Sequence, residues 1–355
     1  MKNIVKQVTG IDVDQKELVV CLGRMCNDWT PELYAHKTFK NNKKGFERLM
    51  AWVKKLTDAS VEVRYVMEAT GVYHESLAYY LADQGQALSV VLPTKTSNYF
   101  KTLEVRTITD KTASRAIARF GLERKLENWQ RPSPVYKQLR QLTRERDQVV
   151  QSRTMMKNQL HAEKSEAEPN QSSLKRLKQR IRLLDKQETE IKKEISAVLK
   201  QDKEAKSAAG LIRTIPGVGE LTAAIILAET NGFELIRSKK QLTGYAGLDV
   251  REKQSGTSVK GKPRISKRGN KHLRKALHMP SLQATRRNES HKDLYVRLVS
   301  KHGIKMKGAV AVQRKILELS YILVKNNQAF DPDYQSKKMD IEEERILEKQ
   351  VVGQH

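Results

Sequence analysis

The sequence predicts an α/β N-terminal domain of ribonuclease-H type, a helical coiled-coil middle and a mainly α C-terminal domain with a helix-hairpin-helix. Three observations carry this expectation. Residues 1–128 read as strand, strand, strand, helix, strand, helix, strand, helix, which is the ribonuclease-H order. Residues 129–206 are highly charged, with apolar positions at steps of three and four. Residues 207–330 open on a Pro-Gly-Val-Gly turn between apolar helical runs, and 331–355 form a charged tail.

In the first part, Ile4 to Val13 alternates loosely and is rich in β-branched residues, so it reads as a strand with Leu18 to Leu22 as its hairpin partner. A third strand is expected around Lys37 to Phe39. Phe46, Leu49, Met50, Trp52, Val53 and Leu56 then make a helical stripe. Val61 to Met67 is the next strand and ends at Glu68, followed by a helix over His74 to Ala82. A strand over Leu88 to Leu92 is stopped by Pro93, and Asp110 to Phe120 is a late helix. This order gives three acids a purpose. Asp12 lies mid-strand, Glu68 at a strand end and Asp110 at a helix head, points that converge in such a sheet. Clustered carboxylates offer the hard oxygens that Mg²⁺ prefers, and two ions about 3.5–4 Å apart can clamp the attacking and leaving oxygens of a phosphodiester. The competing reading makes Glu68 and Asp110 helix-start residues favoured by the helix dipole. Asp14, two residues beyond Asp12, is a further candidate ligand on the same strand face, or else the cap of the hairpin turn.

Arg131-Pro132-Ser133-Pro134 breaks the chain before the middle part. There Leu174, Leu177, Ile181, Leu184, Ile191, Ile195 and Val198 form a seam interrupted by Glu188. A poorer seam of Leu139, Leu142, Val149, Met156 and Leu160 has Arg146 and Arg153 at core-type positions. The expectation is a helical hairpin or coiled coil for oligomerisation or spacing. Its two arginines would form a solvated face or touch nucleic acid.

The third part begins with Leu211 to Ala224, a helix-hairpin-helix pattern in which Gly217 and Gly219 free backbone N–H groups for a phosphate; the alternative is a simple interhelical turn. Short helices over Ala224 to Glu229 and Gln241 to Leu248 follow, with longer ones over Lys271 to Thr285 and Gly308 to Val324. Between Arg251 and Pro280 stand ten lysines or arginines and one acid, Glu252. Lys253, Lys260, Lys262, Arg264, Lys267, Arg268, Lys271 and Arg274 are the candidate phosphate contacts in this run. At its centre is Gln254-Ser255-Gly256-Thr257-Ser258. A hydroxyl beside Gly256 can approach phosphorus unobstructed, with cations to stabilise the transition state. The alternative is a basic loop whose serines only touch phosphate.

The whole chain agrees. With 67 Lys and Arg against 41 Asp and Glu, its net charge of +26 calls for a polyanion, first of all nucleic acid. Aromatics at 6% argue against base-stacking platforms of the single-strand-binding type. Cys21 and Cys26 make no disulfide framework and no metal-ligand spacing, as suits a reducing cytosol. No signal peptide is read at the start and no apolar run approaches membrane-spanning length, so no membrane partner is expected.

Together the pieces resemble the insertion-sequence transposases related to the Piv pilin-gene invertase, the bridge-RNA-guided recombinases. The resemblance rests on Gly10-Ile11-Asp12-Val13, Met67-Glu68-Ala69-Thr70-Gly71-Val72-Tyr73, Thr109-Asp110-Lys111, Ile215-Pro216-Gly217-Val218-Gly219, Ser255-Gly256-Thr257-Ser258 and Ile265-Ser266-Lys267-Arg268-Gly269-Asn270 with Leu273-Arg274. It implies RuvC-like acids at Asp12, Glu68 and Asp110 that bind Mg²⁺, and Ser255 as a nucleophile forming a phosphoserine with DNA. It further implies donor and target DNA, a structured noncoding guide RNA, and a homo-oligomer, dimer or tetramer, with active sites shared between subunits. Its setting would be bacterial, cytoplasmic and nucleoid-associated. One departure stands out: where the family has a second aspartate three residues after Asp110, this chain has Ala113. Other readings are a RuvC-like hydrolytic nuclease in which water attacks, and a non-enzymatic nucleic-acid-binding protein.

Overall fold

The protein was analysed as a computed structural model that describes residues 3–69, 71–103, 107, 109–234, 236–252, 254–255, 259–261 and 264–334, with backbone alone at 254, 255, 259 and 260. It divides into two compact units, Met1–Arg131 and Pro132–His355.

The first unit is built on a five-stranded sheet. β1 (Ile4–Val13), β2 (Glu17–Cys26) and β3 (Pro31–Lys40) form an antiparallel meander, while β4 (Val63–Glu68) runs parallel to β1 and β5 (Leu88–Val91) parallel to β4. The order β3-β2-β1-β4-β5 is that of a ribonuclease-H-like sheet, as expected from the sequence. One face is covered by α1 (Lys43–Leu56) and α2 (Glu75–Asp83), whose Phe46, Leu49, Val53, Leu77 and Leu81 pack on Ile11, Val13, Leu18 and Met67. The other face carries α3 (Pro93–Phe100) and α4 (Asp110–Glu123), with Tyr99, Ile117 and Phe120 against Val8, Val66 and Val91. Strands β2 and β3 are longer than the sequence suggested, because their outer ends alternate too weakly to stand out. Pro93 does end β5, but it also starts α3, occupying the first turn where its missing N–H costs nothing.

Glycine sets the spacing between α4 and the sheet. A Cβ on Gly10 would lie 2.2 Å from the Ala118 nitrogen, and one on Gly121 would lie 2.7 Å from Val8 Cγ1. Backbone therefore meets backbone here, and α4 runs antiparallel to β1.

The second unit is helical. α5 (Pro134–Lys164) and α6 (Gln171–Gln201) form a long hairpin, followed by α7 (Lys203–Arg213), α8 (Glu220–Thr230) and α9 (Lys239–Ala246). After four short strands come α10 (Lys271–Arg287), α11 (Glu289–His302) and α12 (Lys305–Asn326). The base of the hairpin (Leu139, Leu142, Ile191, Ile195, Val198) joins one core with Ile212, Ile226, Leu242, Leu277, Val312 and Ile316. The short helix α11, which the sequence reading passed over, buries only His291.

Arg146 and Arg153 are neither a solvated face nor open to nucleic acid, which corrects the sequence reading. Both donate to Glu188, Arg146 Nη2 at 2.7 Å, and Lys192 joins them at 2.8 Å. Glu188 is 4% exposed, so the interruption in the seam is its ionic centre. Burial pushes its carboxyl up, but Lys192 and Arg146 outweigh it and hold the carboxyl down at about 2.

Candidate active site

Asp12 and Glu68 end two adjacent parallel strands, with Ile11 opposite Met67 in register. Side chains alternate along a strand, so Asp12 shares its face with Gly10 and Val8, the face α4 covers. Because Gly121 sits over Val8 and Ser114 and Ala118 over Gly10, the head of α4 arrives above Asp12. That head is Asp110, fixed by a reciprocal capping box between Thr109 and Thr112. Glu68 is anchored by α3: Thr96, buried on that helix, donates its Oγ1 to Glu68 Oε2 at 2.6 Å.

Asp12 registers the crowding. Burial first, then the charges of Asp110 and Glu68, push its carboxyl up to about 6, and Asp14 adds a smaller push. Asp14 lies past the end of β1 in the turn to β2, where its N–H donates to Glu17 O and its carboxylate accepts weakly from Lys16 N at 3.4 Å. Of the alternatives left by the sequence, Glu68 is not a helix-start residue, since α2 begins at Glu75; Asp110 is one, and also reaches the cluster. Ala113 is half-buried one turn into α4. Among the described residues no three histidine, cysteine or acidic side chains close into a metal-ligand set. The three carboxylates instead form an open group of oxygens that act on one another through their charges.

The second candidate half-site is on the helical unit. The polar loop expected around Ser255 is a two-tier β-hairpin. Val250 and Arg251 (β6) pair with Ile265 and Arg264 (β9), and Gln254 and Ser255 (β7) pair with Lys260 and Val259 (β8). Ser255 holds the last paired position before residues 256–258, which lie outside the described residues, as do Lys253 and Lys262. Period-2 alternation in two-residue strands is too short to read from sequence.

The base of this hairpin is tied down by polar groups. Ser266 N donates to Asp249 O at 2.8 Å, and Asn270 N to Tyr245 O at 2.8 Å. Asn270 caps α10 with its Oδ1 and donates Nδ2 to Glu229 Oε2 at 2.6 Å. Glu229, with 1% of its side chain exposed, also receives a bidentate pair from Arg144 at 2.9 Å. Glu229 was read only as a helix end, and nothing in its sequence context signals this clamp. Arg274 spends Nη1 on Ala246 O and Gly269 O, so it braces the motif from within. Arg264, Lys267, Arg268 and Lys271 are exposed. In the turn before α8, a Cβ on Gly217 would lie 2.8 Å from backbone atoms of α10, whereas Gly219, the N-cap of α8, faces open space.

Two family models match this chain. The model described as Transposase IS116/IS110/IS902 family matches residues 209–296, and a DEDD transposase model of the IS110 type matches 9–163. The chain is 29% identical over 331 residues to pilin gene-inverting proteins of Moraxella lacunata and Moraxella bovis, covering 92% of this chain and 98% of each relative. Among solved structures it is similar to T. thermophilus RuvC in complex with a Holliday junction substrate, at 11% identity and a TM-score of 0.25, over 33% of this chain and 97% of that one. Both units thus match transposase models of one type, in order along the chain, and the likeness to the invertases runs nearly end to end. This chain belongs to the IS110-type transposases and is an enzyme of DNA recombination.

Proposed function

We propose that the enzyme recombines DNA through a covalent ester between Ser255 and a DNA phosphate, assisted by Mg²⁺ at Asp12, Glu68 and Asp110 and directed by a structured noncoding RNA. The observation that carries this reading is the convergence of three carboxylates, felt by Asp12 as a carboxyl pushed up to about 6. Such a group lacks a stabilising role in a small sheet domain and gains one when a divalent cation sits among the oxygens. When bound, Mg²⁺ would offset charge on the phosphate oxygens and lower the barrier to nucleophilic attack.

In this scheme the Ser255 hydroxyl attacks phosphorus, an O–P bond to serine forms, and the bond to one deoxyribose oxygen breaks. The serine proton passes to a base, either water or a carboxylate oxygen not engaged by the metal, and the leaving oxygen takes up a proton. The ester keeps the bond energy, so a hydroxyl from another strand end can reverse the step and rejoin DNA. Arg264, Lys267, Arg268 and Lys271 are exposed to neutralise phosphates. Guidance by RNA is supported by the net charge of +26, which suits two polyanions, and by the family resemblance. The two half-sites are proposed to come from different subunits of a homo-oligomer.

The test is a denaturing gel. Wild-type protein with labelled substrate DNA should give a protein–DNA adduct, and Ser255→Ala should give none while binding DNA within about twofold of wild type, since one hydroxyl adds little beside the surrounding cations. Cleavage without an adduct would mean water is the nucleophile, and the serine would leave the scheme.

A further inference from the structure

We propose that the Lys111–Arg115–Arg119 face of α4 is a track for the phosphates of the DNA strand that enters the carboxylate cluster. The three side chains stand at i, i+4 and i+8, and all three are exposed while the opposite face of α4 is buried against the sheet. Four helical residues rise about 6 Å. That step is comparable with the distance between neighbouring phosphates of one strand. Together with Leu33 and Leu103 the three cations line a groove of about 290 Å³. His36 on β3 lies near two of these cations. Burial first, and then the charges of Lys111 and Arg115, hold that imidazole below its usual range, which places both cations close to it.

Fold stability accounts for Arg119 through its pair with Glu123, but not for Lys111 and Arg115. Like charges at i, i+4 repel along a helix, and a lysine in the first turn opposes the positive end of the helix dipole. A polyanion removes both costs. Arg119 is also positioned in advance: its Nε donates to Glu123 at 2.7 Å, and Glu123 is itself held by the Tyr99 hydroxyl at 2.8 Å. One of five guanidinium donors is engaged in this way. The track starts beside Asp110, the residue at the head of the same helix, so a strand lying along it runs directly to the candidate cutting site. This choice of DNA as the occupant rests on the proposed strand-cutting role of the carboxylates. The cationic track itself does not depend on that role.

The experiment compares full-length Asp12→Asn protein, which is not expected to cut, with the same protein carrying Lys111→Gln, Arg115→Gln and Arg119→Gln. Fluorescence anisotropy with duplex DNA, and separately with an RNA hairpin, is measured over a series of salt concentrations. Each lost phosphate contact lowers the log–log salt slope by about 0.9 for duplex DNA, so the slope should fall by about 2 to 3. For the RNA hairpin it should not change. The melting temperature should stay near that of the Asp12→Asn protein, because relief of repulsion along α4 is offset by loss of the Arg119–Glu123 pair, and a Lys111→Arg, Arg119→Lys control should keep the slope of the unsubstituted track. An unchanged DNA slope overturns the track. A loss confined to RNA, or equal for both, overturns the DNA assignment. Failure of the cutting proposal would appear separately, as Asp12→Asn protein that still cleaves.

Discussion

Asp12 shows what the proposed catalytic cluster costs the fold. Its folded-state carboxyl, near 6, lies above the ordinary value of 3.8, so the folded unit binds the extra proton. Stability from this group is therefore fully present below pH 4 and is lost as pH rises through 6, by on the order of 3 kcal/mol. In metal-free buffer, Asp12→Asn should melt higher than wild type at pH 7.5, and the gap should close at pH 4. Millimolar Mg²⁺ should raise the wild-type melting temperature at pH 7.5 and leave Asp12→Asn unmoved, by the linkage of ligand binding to folding. A wild-type midpoint indifferent to both pH and Mg²⁺ would remove the metal reading. Asp12, Glu68 and Asp110 were legible because the order of strands and helices brings a mid-strand acid, a strand-end acid and a helix-head acid to one place. Thr96, which holds Glu68, was not legible: its contact exists only once α3 folds back over the end of β4.

Whole elements matter through their closest approaches. Gly10→Ala would put a methyl 2.2 Å from the Ala118 nitrogen, and backbone on both sides leaves no side chain to move aside. α4 must lift, carrying Asp110 away from Asp12. The expected result is an unfolding free energy, read from denaturant titration, lowered by about 1–3 kcal/mol and a larger loss of DNA cleavage; Gly219→Ala, which faces open space, should cost little of either. Equal behaviour of the two variants would show that α4 has slack. The α5–α6 hairpin gives the second lesson at this scale. Its helices and turn could be read from apolar spacing, but each seam was read alone, so Glu188 on one helix and Arg146 and Arg153 on the other looked like separate faults. They become one network when the hairpin closes. Because the Glu188 carboxyl titrates near 2, below its usual 4.5, the stability it contributes is present above pH 4.5 and lost as pH falls toward 2. Glu188→Ala should cost about 1–3 kcal/mol at neutral pH, because its three cations lose their shared acceptor while Arg153 keeps Asp185 and Arg146 keeps Asp147. Replacing Glu188, Arg146 and Arg153 together by leucine or methionine should cost less.

At the scale of the molecule, the question is how the two proposed half-sites, one on each compact unit, would serve one reaction. If they meet between subunits, Asp12→Ala and Ser255→Ala chains should complement each other. In an equal mixture of randomly formed dimers half are mixed, and each mixed dimer has one intact composite site of two, so about a quarter of sites recover. The covalent adduct gives a sharper reading than recombination, because it labels a chain. With a size tag on one variant, the adduct should appear only on the Asp12→Ala chain, which keeps its serine and borrows the partner's carboxylates. The hairpin is the proposed coupling element, and the structure decides how to test it. Removing all of α6 would take Ile191, Ile195 and Val198 out of the core of the helical unit. Replacing 157–181 by a short Gly-Asn turn leaves that core and the Glu188 network in place and removes only the outer half of the hairpin. Complementation should then disappear while the melting temperature of the helical unit stays near wild type. Adduct on the Asp12→Ala chain with no partner added would show that Asp12 is dispensable, whereas no adduct at any mixing ratio of the two variants would place both half-sites within one chain.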